Sequence, residues 1–160
     1  MDTIANYMKV LSDTLEQKKQ VLSQILEITK RQESIAQAEE FSETDFANSV
    51  NEKEVLIARL NQLDDGFNSI YQRIRQDVID QGGLYDGEIR SMQAQIRECV
   101  DIGNRIQVVE ERNHAKLVTL FSAKKQEYKV KASMNSAAKS YHQAMSGVQY
   151  RDPFFMDQKK

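Results

Sequence analysis

The chain has 160 residues, the length of one domain, and is 29% charged and 8% aromatic, with a single proline and no tryptophan. That composition is typical of long helices and argues against a compact globule rich in turns and aromatic core residues. No apolar run is long enough for a signal peptide or a membrane span, so we expect no membrane insertion and a cytoplasmic location.

Charge is divided unevenly along the chain, although the formal net charge is only −2. Residues 1–111 contain 12 Lys or Arg and 21 Asp or Glu, a net charge of −9. Residues 112–151 contain eight Lys or Arg and a single acidic residue, Glu127, a net charge of +7. Opposite fields in two parts of one chain can steer its association with a partner.

The first helix is predicted over residues 3–39. Its apolar residues recur at steps of three and four, which places them on one face: Ile4, Met8, Leu11, Leu15, Leu22 and Ile25. A capping sequence follows, with Ser42 placed to cap the next helix and Asp45 at the capping-box position. Phe41 and Phe46 flank these two residues at the spacing of a hydrophobic staple.

The second helix is predicted over residues 43–80. One heptad phase is kept along it by Phe46, Val50, Ile57, Leu60, Phe67, Tyr71, Ile74 and Val78. The turn-like Asp64-Asp65-Gly66 lies inside this run, but the phase continues across it. We therefore predict an uninterrupted helix that accepts a glycine at a cost of about 1 kcal/mol. Gln81-Gly82-Gly83 is predicted to end it.

The third helix is predicted over residues 84–146, which would make it roughly 90 Å long. Its apolar stripe contains Tyr85, Ile89, Met92, Ile96, Cys99, Ile106, Leu117, Phe121 and Tyr128. The stripe is interrupted at Gly103, Glu110 and Asn113, where we expect looser packing. The two preceding helices are little more than half as long, so they cannot cover the third, and its uncovered part indicates a protein partner.

These elements predict an all-α fold, an elongated antiparallel three-helix bundle or coiled-coil hairpin with a very long third helix. Residues 1–147 would form a single helical domain and residues 148–160 a flexible C-terminal tail. Whether the rear of the third helix is extended, kinked or folded back is left open by the sequence.

The sequence provides no pattern for catalysis, a cofactor or a metal. Glu111 and His114 have Glu-x-x-His spacing, but a di-iron bundle needs a second such motif. Cys99 lies on the apolar stripe far from either histidine and is predicted to be a buried thiol. Asp64 and Glu110 also fall on apolar stripes, and we interpret both as helix-edge residues. We expect a protein that is not an enzyme.

The rear of the third helix carries the candidate partner-binding site. Its residues are Leu117, Leu120, Phe121, Lys124, Tyr128, Val130, Met134, Ala138, Tyr141 and Met145. Methionine and small residues suit an adaptable surface for an amphipathic helix, with lysines as steering charges. Pairing of two copies through the same stripe would explain it nearly as well. The segment has few arginines and no base-reading motif, so nucleic acid is not expected.

Residues in the second and third predicted helices and at the C-terminal end of the chain carry a family resemblance. They are Asn51-Glu52-Lys53-Glu54 with Leu56-Ile57, Leu63-Asp64-Asp65-Gly66-Phe67, Ile106-Gln107, Glu110, Arg112-Asn113, and Asp152-Pro153-Phe154-Phe155-Met156-Asp157 with Lys159-Lys160. With these residues the chain resembles, over essentially its full length, the FlgN-like export chaperones of the bacterial flagellar type III pathway.

The resemblance implies a small cytoplasmic chaperone without ATPase activity. Such a chaperone binds the C-terminal helices of hook–filament junction proteins and keeps them monomeric and export-competent. Our own hypothesis for the mechanism is that Phe121, Tyr128 and Tyr141 serve as anchors and the lysines as steering charges. Three alternatives stay open for Phe154-Phe155-Met156 in the tail: contact with export apparatus components, disorder, or docking on the chain's own bundle. Two alternatives stay open, a filament-cap chaperone of similar build and a structural coiled-coil homodimer without a client.

Overall fold

The computed structural model describes residues 3–122, which form three α-helices joined by short connections. Helix α1 spans Thr3–Gln37, α2 spans Glu43–Asp80 and α3 spans Asp86–Phe121, with one 3-10 turn at Gly82–Tyr85 before α3. The predicted all-α class and helical bundle are confirmed. The predicted rear of the third helix and the predicted tail lie outside the described residues.

The boundaries of α2 are those predicted from its capping and glycine signals. The Ser42 hydroxyl accepts a hydrogen bond from the backbone N–H of Asp45 at 3.1 Å, which satisfies one free donor of the first turn. The helix passes through Gly66 without a break. It ends before Gly82, whose φ of +64° is a left-handed conformation that glycine adopts without strain.

The three helices run up, down and up, so α2 is antiparallel to both others. They contain 35, 38 and 36 residues and are therefore each about 55 Å long. The closest packing is between α1 and α2 and between α1 and α3. The result is an elongated bundle whose helices are matched in length over the described residues.

The core is divided along the bundle into three apolar clusters. The first cluster consists of Met8, Leu11, Leu15, Phe67, Tyr71, Ile74, Val78, Tyr85, Met92 and Ile96. The central cluster consists of Val21, Leu22, Ile25, Leu26, Ile57, Leu60, Leu63, Cys99 and Ile106. The aromatic cluster, at the end where α1 connects to α2, consists of Ala36, Phe46, Val50, Leu117 and Phe121.

The looser packing expected in the middle of α3 is not found. The helix is continuous there, and both Gly103 and Asn113 are buried. Glu110 is held in an ion pair with Lys53 of α2. At Glu110 and Asn113 the apolar stripe is interrupted because these side chains make polar contacts with the neighbouring helices.

Candidate partner-binding site

Three of the predicted partner-binding residues lie in the part of the chain that the structure describes. Leu117 and Phe121 are each only 1% exposed, within the aromatic cluster. Leu120 is half-buried and packs against the same cluster. The other seven lie outside the described residues: Lys124, Tyr128, Val130, Met134, Ala138, Tyr141 and Met145. The described part of the stripe therefore packs into the bundle itself.

The aromatic cluster is built around three phenylalanine rings. Phe41, in the connection between α1 and α2, meets the Phe121 ring edge to face with the centroids 4.9 Å apart. The Phe41 ring also lies 5.9 Å from the Phe46 ring, centroid to centroid, with the two planes tilted by 44°. An edge-to-face pair such as Phe41–Phe121 is favourable beyond the area that it buries. Phe41 is itself half-buried, so it covers the end of the cluster.

A buried polar layer separates the aromatic cluster from the central cluster. We call it the Lys53 layer, and it consists of Thr29, Gln32, Ser49, Lys53, Glu110 and Asn113. Lys53 donates to Glu110 Oε2 at 2.6 Å and to Gln32 Oε1 at 2.9 Å, so a side chain of α2 joins α1 and α3. Gln32 in turn donates to the Ser49 hydroxyl at 3.0 Å.

The Lys53 layer is incompletely satisfied. The Asn113 side-chain amide donates to the Thr29 carbonyl at 3.0 Å, while Asn113 Oδ1 is buried with no hydrogen-bond partner among residues 3–122. Burial lowers the pKa of Lys53, an effect that the attraction of Glu110 opposes. A buried oxygen without a partner and a buried charge each cost free energy relative to the same group in water.

An exposed ion pair lies at the rim of this layer. The Arg112 guanidinium of α3 donates to both carboxylate oxygens of Glu33 on α1, at 2.8 and 3.3 Å. These hydrogen bonds lower the pKa of Glu33 and raise that of Arg112. Because Arg112 is exposed to solvent, water and salt screen the pair and it adds little to stability.

A second polar layer separates the central cluster from the first cluster. Lys18 Nζ of α1 lies 2.7 Å from Asp64 Oδ1 of α2, and the Lys18 side chain is 1% exposed. Burial lowers the pKa of Lys18, and the Asp64 charge opposes that shift. Cys99, which is fully buried as predicted, has its thiol pKa raised to about 11 by burial, so it is neutral and poorly reactive at ordinary pH.

The buried lysines are the residues that sequence reasoning missed. Lys18 stands between Leu15 and Leu22 at steps of three and four, so it occupies a core position of the α1 stripe. Lys53 stands in the same way between Val50 and Ile57 on α2. A pattern built only from apolar residues skips both.

The interpretation of Asp64 and Glu110 as helix-edge residues is wrong. Asp64 is 9% exposed, and Glu110 has a side chain 19% exposed and bonded to a buried ammonium. The sequence does carry a signal for these ion pairs, since two acids and two lysines stand on core stripes. Lys18 and Asp64 join α1 to α2, and Lys53 and Glu110 join α2 to α3.

The described residues provide no arrangement for metal chemistry or for crossing a bilayer. Within residues 3–122, no three His, Cys, Asp or Glu side chains come together as a metal-binding group. None of the described helices has an apolar stretch long enough to cross a membrane. Comparison with known proteins adds no relative, since no protein-family model, curated protein or solved structure gives a significant match to this chain.

Proposed function

We propose that this protein is a FlgN-like flagellar type III export chaperone that binds the C-terminal helices of hook–filament junction proteins. The observation that carries the proposal is the matched length of the three described helices. Among residues 3–122, α3 ends at Phe121, at the level of the α1–α2 connection. Apolar residues of the predicted stripe continue in the sequence beyond that point.

No described helix is left to cover the later part of the stripe. Helices α1 and α2 are used along their whole length in the three clusters and two polar layers. Tyr128, Met134 and Tyr141 are therefore the anchors that we propose for a client helix. An exported helix that assembles outside the cell needs its apolar face covered while it is still inside the cell. An apolar stripe on a chaperone supplies such a cover.

Two of the residues predicted to bind a partner, Leu117 and Phe121, are buried at the end of α3. Phe121 fixes the end of the bundle, so replacing it with alanine would cost about 3–5 kcal/mol of stability and would confound a binding test. Tyr128 and Tyr141 lie outside the described residues and are the other aromatic residues of the predicted partner-binding stripe, so they are the probes that we choose.

The test is calorimetric titration of the purified chain with the C-terminal segment of a hook–filament junction protein. We expect tight one-to-one binding, and we expect Tyr128→Ala and Tyr141→Ala each to weaken it by roughly 10- to 30-fold, the usual loss at an aromatic anchor. Val55→Ala is the matched control, because Val55 is an exposed apolar residue of α2 that does not belong to the predicted stripe. Its affinity should equal that of the unaltered chain.

Two results would redirect the assignment. Binding of the filament-cap protein's C-terminal segment instead would move the assignment to the filament-cap chaperones. No binding of either segment, with a concentration-independent dimer in light scattering, would favour the structural coiled coil. Equal affinities of the Tyr128 and Val55 variants would place the client site elsewhere on the chain.

A further inference from the structure

We draw no further inference here: the strongest candidate, the shallow apolar groove between α1 and α3 that is lined by Leu26, Lys30, Asn104, Arg105, Val108 and Val109, carries nothing because no observation on residues 3–122 shows what covers it.

Discussion

Lys18 takes a charge into the bundle on a side chain whose four methylenes are themselves apolar. The stem packs with the core while the ammonium contacts Asp64 at 2.7 Å. Taking both charges out of water costs several kcal/mol, which their mutual attraction offsets only while both are present. The single substitution is therefore far more damaging than removal of the pair.

Lys18→Met should lower the free energy of unfolding by about 3–5 kcal/mol, because Asp64 stays buried without its cation. Denaturant titration followed by circular dichroism measures this. Lys9→Met is the matched control, since the Lys9–Asp13 pair is exposed and should change stability by less than about 1 kcal/mol. Equal unfolding midpoints for the two variants would mean that the buried Lys18–Asp64 pair contributes no more to stability than the exposed Lys9–Asp13 pair.

At this scale the apolar core could be read from the sequence and the polar core could not. Leu11, Leu22 and Leu60 were placed by periodicity because apolar residues at core positions need no particular partner. A buried lysine needs one acid at one height on another helix. Whether the acid lies level with the lysine depends on how far one helix is shifted along the other. The apolar repeat within either helix does not determine that shift.

The helices themselves follow local signals closely. Helix α2 has its predicted bounds because a capped start and a left-handed glycine at its end act within a few residues. Helix α3 begins at Asp86, two residues later than predicted, since Gly82–Tyr85 first forms a tighter 3-10 turn. Tyr85 of this turn continues the apolar stripe of α3, so the spacing of apolar residues does not separate the turn from the helix.

Two glycines next to predicted turns should respond oppositely to the same substitution. Gly66→Ala should raise the free energy of unfolding by about 0.5–1 kcal/mol, because an added methyl group at this helical position meets no atom within 4 Å. Gly82→Ala should lower it by about 1–2 kcal/mol, because its φ is +64°. Thermal unfolding of the two variants side by side gives both signs, and a gain at Gly82 would contradict the structure of this turn.

At the scale of the whole molecule, α3 contributes to the bundle core as far as Phe121 among the residues that the structure describes. Its last side chains in the apolar clusters of residues 3–122 are Leu117 and Phe121. A chain cut after Arg112 loses Leu117 and Phe121, the α3 residues that belong to the same cluster as Phe46 and Val50.

The chain cut after Arg112 should therefore be less stable than the chain cut after Ser122 by about 5 kcal/mol or more, a large part of the stability of a typical domain. Urea unfolding of both chains measures the difference. The chain cut after Ser122 also serves as the scaffold control in client titrations, where we expect it to stay folded and to bind weakly. Similar stabilities would show that residues 113–121 are dispensable for the bundle.

The alternation of apolar clusters and charged layers has a consequence for which helices can belong to this bundle. Sliding α1 by one heptad, about 10 Å, would carry the Lys18 ammonium away from Asp64 and into hydrocarbon. A foreign helix with an unbroken leucine stripe in place of α1 would bring no cation to the Asp64 carboxylate. The positions of the buried charges thus favour the bundle's own helices and disfavour an apolar helix in the place of α1. That is a useful property for a protein proposed to bind apolar helices.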